Sequence, residues 1–306
     1  MAKIFCIANQ KGGVGKTTTT VNLAAGLAKV GQRVLMIDLD PQGNATMGSG
    51  IDKRQLELTV YDVLLESASV SEARVKADKL VEGGCGYDVL GANRELAGAE
   101  VEMVALDRRE KRLRTALAAV GAEYDFVLID CPPSLSLLTL NGLCAAHGVI
   151  VPMQCEYFAL EGLTDLVNTI KQVHANLNKN LQIIGLLRVM FDPRITLQQQ
   201  VSEQLKSHFG DKVFDTVIPR NVRLAEAPSY GLPGVVFDPA ARGSQAFIAF
   251  AQELIDKMPP ASAFASGAVA PPIAPVTRIA PDLPIPDDVM APAVAPASDS
   301  TSENNA

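Results

Sequence analysis

A glycine-rich loop near the N-terminus constrains this chain more than any other feature. The loop from Gln10 to Thr18 reads QKGGVGKTT; it follows a short apolar run, Ile4 to Ala8, and precedes an amphipathic run, Val21 to Ala28. The order of strand, glycine loop and helix is the setting in which a phosphate-binding loop works. The glycines allow a tight turn that brings backbone N–H groups close to phosphate oxygens. The sequence therefore predicts that the chain binds a nucleoside triphosphate.

The two lysines of this loop have different predicted roles. Lys16 would place a positive charge on the β- and γ-phosphates, and the hydroxyl of Thr17 would reach Mg²⁺. The pattern G-x-x-x-x-G-K-[ST] is not met at its start, where Gln10 replaces glycine, and Lys11 is an additional cation. Lys11 is either a solvated loop charge or a group that reaches a nucleotide held by a facing copy. We favour the second, since the octet from Lys11 to Thr18 resembles the deviant Walker A signature of the ParA/MinD ATPases.

Composition narrows the class of protein. The chain has 306 residues, 48% of them hydrophobic, enough for one large α/β domain or two small ones. No apolar run approaches the ~20 residues of a membrane helix, and the first strand begins too early to leave room for a signal peptide. The five scattered cysteines include no C-x-x-C pair, which argues against a zinc site or a disulfide framework. We therefore expect a cytoplasmic protein with reduced thiols.

The composition changes near Met258. Residues 259–306 are rich in Pro, Ala and Ser and carry one basic residue against five acidic ones, a net charge of −4. Such a segment cannot bury enough apolar surface to offset the entropy of ordering. We predict a folded domain over residues 1–258 and a disordered tail over residues 259–306. The whole chain carries −7, which leaves −3 for the folded part, so any nucleic-acid site must be a local patch.

Strand-like apolar runs alternate with helical patterns throughout the predicted domain. The candidate strands are 3–8, 33–38, 87–91, 124–130, 148–153, 182–190 and 213–218, and the helical patterns cover 16–29, 97–120, 136–146, 160–176, 197–208 and 242–257. Several strands are nearly continuous in Val, Ile and Leu, which suits a parallel sheet buried on both faces. The alternation predicts a single α/β domain with a doubly wound, mostly parallel sheet.

Carboxylates end two of these strands, at the edge where ligands collect in such folds. Asp38 and Asp40 close the second strand at alternate positions and are followed by Pro, Gly and Asn. Those residues also suit an ordinary turn, but carboxylates placed near phosphates commonly serve Mg²⁺ or an attacking water, and we favour that role. Asp130 follows four apolar residues in a Walker B pattern, in which the carboxylate holds Mg²⁺ directly or through water.

Residues 1–257 resemble a small ParA/Soj-type chromosome-partitioning ATPase. The stretches that carry the resemblance are Asn9 to Thr20, Asp38 to Thr46, Asp130 to Leu140, Gln154 to Gly162 and Val217 to Ser229. The resemblance implies ATP and Mg²⁺ as cofactors. It also implies a ParB-type DNA-binding partner, non-specific binding of double-stranded DNA, an ATP-dependent homodimer and association with the nucleoid rather than with a membrane.

The same resemblance implies catalytic and metal-binding roles by position. Lys11 would reach across an ATP-sandwich dimer, and Lys16 would bind the phosphates. Asp40 would orient the hydrolytic water. Thr17, Asp38 and Asp130 would form the metal site, the two carboxylates acting through water.

Base and DNA contacts are also implied. The nucleotide-binding set comprises Lys11, Gly12, Gly13, Val14, Gly15, Lys16, Thr17, Thr18, Met190, Pro219 and Asn221. Within it, Pro219 and Asn221 would contact the adenine, with Met190 nearby. Arg194 and Arg223 match the arginines that grip DNA in the family.

Arginine clusters can be surface charges or a DNA site. Arg188, Arg194, Arg220 and Arg223 lie on two segments that flank neighbouring late strands, and arginine suits phosphate contacts. The sequence alone leaves surface solubility as an equal explanation. A second basic run over residues 108–114 is interleaved with acids, and we interpret it as the solvated face of one helix.

These inferences combine into a cycle. The ATP-bound dimer would bind DNA, a ParB-type partner would stimulate hydrolysis, and opening of the dimer would release the DNA, which drives chromosome segregation. Three alternatives remain. A ParA-like ATPase that positions a protein cargo would share every motif. A MinD-like division regulator should end in a basic amphipathic helix, which this chain lacks. An iron–sulfur reductase of the same superfamily would need motifs around its cysteines that are missing.

Overall fold

A central sheet of eight strands organises the computed structural model, which describes residues 1–76, 80, 86–157 and 159–259. The strands are β1 (Lys3–Ile7), β2 (Val34–Asp38), β3 (Arg74–Lys76), β4 (Asp88–Leu90), β5 (Phe126–Asp130), β6 (Gly148–Met153), β7 (Gln182–Phe191) and β8 (Val213–Pro219). Their order in the sheet is β3-β4-β2-β5-β1-β6-β7-β8. Every neighbouring pair is parallel except β3 and β4, which run antiparallel.

Helices cover both faces of this sheet. They are α1 (Lys16–Lys29), α2 (Asn44–Gly48), α3 (Val60–Leu64), α4 (Val70–Ala73), α5 (Leu96–Glu102), α6 (Arg112–Ala118), α7 (Leu137–Ala145), α8 (Ala159–Asn176), α9 (Thr196–Phe209), α10 (Val222–Glu226), α11 (Gly234–Phe237) and α12 (Arg242–Lys257). Short 3₁₀ turns occupy Met103–Ala105, Arg109–Lys111, Gly210–Lys212 and Ala227–Tyr230. None of the helices in the described ranges is both long and apolar enough to cross a membrane.

The central strands have apolar side chains on both faces because each face carries its own core. All residues of β2, β5 and β6 are buried, as expected for strands covered by helices on both sides. Side chains alternate between the two cores along each strand. One core packs under α7 and α8, the other under α1 and α12. Close helix packing in the second core relies on Gly26 of α1, where an added Cβ would lie 3.2 Å from the carbonyl oxygen of Phe247.

Strand register brings the polar strand ends together. Ile7, the last residue of β1, pairs with Asp130 of β5, and Asp38 of β2 pairs with the same Asp130. The three strands are adjacent and parallel, so their carboxyl ends meet at one edge of the sheet. The glycine loop leaves β1 at this edge. The fold therefore places the loop and the two aspartates side by side near the middle of the sheet.

The predicted fold class is confirmed, and all seven predicted strands are present within a few residues. The expected helix over 97–120 is wrong as a single element. It is broken between α5 and α6, where Arg108 adopts a left-handed conformation with φ of 50°. The side chain of Asn141 donates to the carbonyl of Arg109 and accepts from the N–H of Leu113, which replaces helical hydrogen bonds. The basic run over 108–114 therefore does not form one helical face.

Several elements were not predicted. The edge strand β3 has only three residues, and the additional helices α2, α3, α4, α10 and α11 have four or five each. Segments this short do not reach the length at which a hydrophobic period is visible. Residues 260–306 lie outside the described ranges, so the boundary at 258 and the disordered tail remain predictions.

Candidate nucleotide-binding site

The glycine loop between β1 and α1 forms an open cradle. Gly13 and Gly15 have positive φ values of 72° and 75°, a conformation that favours glycine. A Cβ added at Gly12 or Gly13 would meet no atom within 4 Å. In the part of the chain that the structure describes, the N–H groups of residues 12–15 have no hydrogen-bond acceptor. A glycine loop with unpaired N–H groups at a helix N-terminus fits the phosphates of a nucleotide.

Lys16 extends back over this cradle. Its side chain is largely buried, and its Nζ donates to the carbonyl oxygen of Lys11, 3.1 Å away. Burial lowers the pKa of this lysine, while the charges of Asp130 and Asp40 act in the opposite direction. Its ammonium group thus lies at the loop, where an anionic ligand would relieve the cost of burying the charge.

Asp130 is buried beneath the first turn of α1. Its two carboxylate oxygens accept hydrogen bonds from the hydroxyls of Thr17, at 2.8 Å, and Thr20, at 2.9 Å. Burial raises the pKa of Asp130, and the charge of neighbouring Asp38 raises it further. A nearby cation would offset the repulsion between the two buried carboxylates. The observation fits the predicted metal site, since the Thr17 hydroxyl lies against a carboxylate.

Asp38 lies beside Asp130 and anchors α2. Its Oδ2 accepts from the N–H and the hydroxyl of Thr46, both at 2.8 Å, and its Oδ1 accepts from the N–H of Asp40 at 3.1 Å. Burial raises the pKa of Asp38. Asp40 is only half-buried, and its Oδ1 accepts from the N–H of Gln42 at 2.9 Å. One carboxylate is therefore held rigidly inside, and the other lies at the surface of the same edge.

The predicted Mg²⁺ ligands do not form a complete cage by themselves. Within the described residues, no three His, Cys, Asp or Glu side chains are grouped to hold a metal ion. This agrees with the chemistry of Mg²⁺, which keeps several waters and combines one or two protein ligands with substrate phosphates. Thr17, Asp38 and Asp130 therefore fit a metal site that is completed by the nucleotide.

Lys11 lies at the mouth of the loop, outside the cradle. Its Nζ forms an ion pair with Glu156 Oε2 at 2.7 Å, and both side chains remain almost half exposed. Glu156 stands just before α8, whose first residue donates its N–H to the Glu156 carbonyl. Exposed ion pairs of this kind contribute only about 0–1 kcal/mol. The amine of Lys11 can therefore leave Glu156 at little cost.

Of the three residues predicted to contact the base, Met190 lies against the glycine loop, whereas Pro219 and Asn221 lie at and just after the end of β8. Met190 has a positive φ of 52°, and its terminal methyl lies 3.8 Å from the Cβ position of Gly15. Gln154 links the two, since its amide lies 3.2 Å from the Gly13 carbonyl and 3.1 Å from the Met190 sulfur. Pro219 ends β8, paired with β7. Asn221 caps α10 by accepting from the N–H of Arg223, so its amide group is the part left for a ligand.

The four arginines considered for DNA contact are not equivalent. Arg188 is buried and donates to Ser202 and to two main-chain carbonyls of β8. Its inclusion in a DNA-facing patch is therefore wrong, because its guanidinium is used inside the fold. Arg194 is exposed and paired with Asp192. Arg223 is half exposed and lies near Glu226 and Asp238.

The sequence analysis did not identify four residues that contact the predicted site residues and hold them in place. These residues are Thr20, Thr46, Gln154 and Glu156. Thr20 follows Thr17 by three positions on one helix, so their shared helical face was a usable signal. The other three lie inside stretches that carried the family resemblance, but nothing local indicates their partners. Those contacts span elements far apart in the chain.

Comparison with known proteins assigns the family. A family model described as an AAA domain matches residues 2–183. The sporulation initiation inhibitor protein Soj of Bacillus subtilis is 52% identical over 254 residues, which cover 83% of this chain and 98% of that protein. The chromosome partitioning protein ParA of Caulobacter vibrioides is 51% identical over 257 residues, 83% of this chain and 94% of that protein.

One solved structure that matches this chain was determined with a bound nucleotide analogue. Cobyrinic acid a,c-diamide synthase from Mycobacterium smegmatis, with a bound ATP analogue and magnesium, superposes with a TM-score of 0.71 at 38% identity. The match covers 83% of this chain and 95% of that one. Its identity is well below that of the partitioning proteins. The chain therefore belongs to the ParA/Soj family of chromosome-partitioning ATPases, enzymes that hydrolyse ATP and use Mg²⁺.

Proposed function

We propose that this ATPase forms a face-to-face dimer around two ATP molecules and that the dimer binds DNA until hydrolysis opens it. The observation that carries the proposal is the position of Lys11. Its amine lies outside the loop that surrounds Lys16, is partly exposed and pairs with Glu156, whose side chain is also almost half exposed. A second copy facing this edge would place the phosphates of its bound ATP within reach of the Lys11 amine. Self-association would then depend on the bound nucleotide.

The chemistry of the cycle follows from the buried and exposed carboxylates. Thr17 would hold Mg²⁺ directly, and Asp38 and Asp130 would hold it through water. The ion would supply positive charge that offsets the charge of the β- and γ-phosphates. Lys16 would bind the same phosphates from the loop. Asp40, at the surface of this edge, is the carboxylate free to orient an attacking water.

Replacing Asp40 with alanine separates assembly from hydrolysis. We expect Asp40→Ala to dimerise with ATP but to hydrolyse it roughly 10²–10⁴-fold more slowly. This factor is the usual contribution of a positioned general base. Phosphate release and sedimentation in ATP measure the two properties. The matched control is Asp52→Ala, which removes a surface carboxylate paired with Arg54. Normal turnover by Asp40→Ala would remove this residue from catalysis.

DNA contact is assigned to Arg194 and Arg223. The two follow β7 and β8, adjacent parallel strands whose carboxyl ends lie at the same edge. Both are exposed and pair with acids at the surface, so either can turn to a phosphate. A two-fold dimer doubles every such contact, so weak contacts add. Binding of this kind is insensitive to base sequence and falls steeply with salt.

Arg223→Glu tests the DNA site. We expect this variant to dimerise normally with ATP but to bind random-sequence duplex more weakly, with a shallower salt dependence, because each dimer loses two phosphate contacts. The expected change in slope is about 2. Fluorescence anisotropy at several salt concentrations measures it. Arg54→Glu is the control, an exposed arginine paired with its own Asp52 elsewhere on the surface. An unchanged affinity and slope would reject the site.

The cellular role is chromosome segregation with a ParB-type partner in the cytoplasm, on the nucleoid. The partner would stimulate hydrolysis, and the released subunits would rebind elsewhere. Sedimentation in ATP and in ADP, with and without random-sequence duplex, tests the cycle as a whole. A protein that stays monomeric in ATP, or binds DNA equally in both nucleotides, would contradict the proposal.

A further inference from the structure

The side chain of Lys53 lies against the turn that carries Asp40. Its Nζ donates a hydrogen bond to the carbonyl oxygen of Gln42. Gln42 in turn donates its N–H to Asp40 Oδ1 at 2.9 Å, and the N–H of Gly43 donates to the Asp40 carbonyl at 2.8 Å. The ammonium group is therefore bound to the same turn that orients the Asp40 carboxylate.

The aliphatic part of Lys53 packs on this turn as well. Gly43, which precedes α2, has a positive φ of 60°. A Cβ added there would lie 2.7 Å from Lys53 Cδ and 2.6 Å from the carbonyl oxygen of Ala92, which follows β4. Glycine is needed both for the backbone conformation and for this close approach. The backbone of the turn is thus packed directly against the lysine and against the main chain after β4.

The segment that carries Lys53 is itself fixed on both sides of the lysine. The N–H of Ile51 donates to the carbonyl of Thr46 on α2 at 3.3 Å. Leu56 Cδ1 lies 2.6 Å from the position that a Cβ of Gly91 would take, so the leucine contacts the main chain after β4. The lysine therefore approaches the turn from a segment with its own anchors in the fold.

Lys53 bonds to a main-chain carbonyl and not to a carboxylate. Among the described residues, no acidic side chain lies within ion-pairing distance of it, and the adjacent Asp52 is paired with Arg54. A hydrogen bond from a charged donor is roughly twice as strong as a neutral one, and Lys53 is half-buried. Such a bond offsets part of the rotamer entropy of a lysine, about 2 kcal/mol, and it restricts the movement of the turn.

We propose that Lys53 is a positioning residue for ATP hydrolysis, which holds the turn over residues 40–43 so that the Asp40 carboxylate meets the attacking water. The inference rests on the proposed role of Asp40 and names the group that fixes its geometry. A catalytic group must be held within about 0.5 Å of its productive position, and a displacement of about 1 Å can slow a reaction by on the order of 10². Because the lysine acts through Asp40, its loss should change the turnover rate and not the affinity for ATP.

Lys53→Met in the full-length chain tests the proposal. Methionine keeps an apolar stem against Gly43 and removes the charged donor. We expect this variant to hydrolyse ATP roughly 10–100-fold more slowly, with its KM for ATP and its melting temperature close to those of the parent. Lys53→Arg, which retains a cationic donor, should recover most of the rate. Lys179→Met is the matched control, since that lysine donates to the main-chain carbonyl of Ala175 at 2.6 Å, shortly before β7 begins.

A double variant shows whether the lysine acts through Asp40. Once the aspartate is absent, the position of its turn no longer affects the attacking water. Lys53→Met combined with Asp40→Ala should therefore be no slower than Asp40→Ala alone.

Three results would overturn the proposal. They are a Lys53→Met protein with the turnover of the parent, a double variant slowed by the product of the two single effects, and a loss of rate that only follows a loss of folded protein. Normal turnover by Asp40→Ala, measured alongside, is a separate result, because it rejects the proposed role of Asp40 itself and this inference with it.

Discussion

Replacing Lys11 with alanine is expected to leave ATP binding intact and to abolish the ATP-dependent dimer. The amine lies outside its own cradle and pairs with Glu156 at the surface. In the proposed dimer it meets phosphates of the partner subunit's nucleotide, a desolvated charge contact. Removing one partner of such a contact costs about 2–5 kcal/mol, and a two-fold dimer loses it twice. Sedimentation in ATP should show monomers at concentrations where the parent is dimeric.

Lys16→Ala is the matched comparison for this prediction. Lys16 lies within the cradle with its amine 3.1 Å from the Lys11 carbonyl, so its loss should weaken ATP binding itself, by about 2–5 kcal/mol. Loss of Lys11 should therefore prevent dimer formation, whereas loss of Lys16 should weaken the earlier step, ATP binding. A Lys11→Ala protein that still dimerises with ATP, or one that no longer binds ATP, would contradict the assignment of Lys11 to the neighbouring subunit.

Asp130→Asn is expected to stabilise the metal-free, nucleotide-free protein at alkaline pH and to abolish Mg²⁺-dependent hydrolysis. Burial raises the pKa of Asp130 to about 8. A carboxyl whose folded pKa exceeds its unfolded value stabilises the fold fully at acidic pH, and that contribution is lost as pH rises through the folded value. The melting temperature of the parent protein should therefore fall as the pH rises from about 4, the unfolded pKa of an aspartate, to about 8, and this contribution should level off above that pH.

The asparagine variant removes this dependence because its amide mimics the protonated carboxyl towards Thr17 and Thr20. Above pH 8 its melting temperature should exceed that of the parent by ~5 °C or more. This shift corresponds to a free energy of unfolding that is higher by on the order of a few kcal/mol. Thermal melts across pH, without Mg²⁺ or nucleotide, measure the difference. Asp52→Asn is the control, since the pKa of that partly exposed carboxyl is lowered by hydrogen bonds from Arg54. A parent protein equally stable at pH 5 and pH 9 would contradict the prediction.

Local sequence was sufficient for the parts of the site that depend on neighbours in the chain. The glycine loop is defined by nine consecutive residues, and the positive φ of Gly13 and Gly15 is what that pattern predicts. The carboxylates Asp38 and Asp130 were identified because buried strands end there. Contacts between distant elements were not predictable. Gln154 contacts the loop although the two are separated by about 140 positions in the chain. Arg188 is buried against β8, although the sequence analysis considered it as a surface cation.

Local sequence patterns predicted the α/β fold, the phosphate loop and the strand ends that carry carboxylates, because hydrophobic period and glycine placement act over a few residues. Which charges are buried and which are paired followed from the folded arrangement instead. Strand register sets Asp38 beside Asp130, and the pairing of β7 with β8 buries Arg188 against the carbonyls of β8. Burial and partner choice depend on contacts between remote segments, and no local pattern encodes those distances.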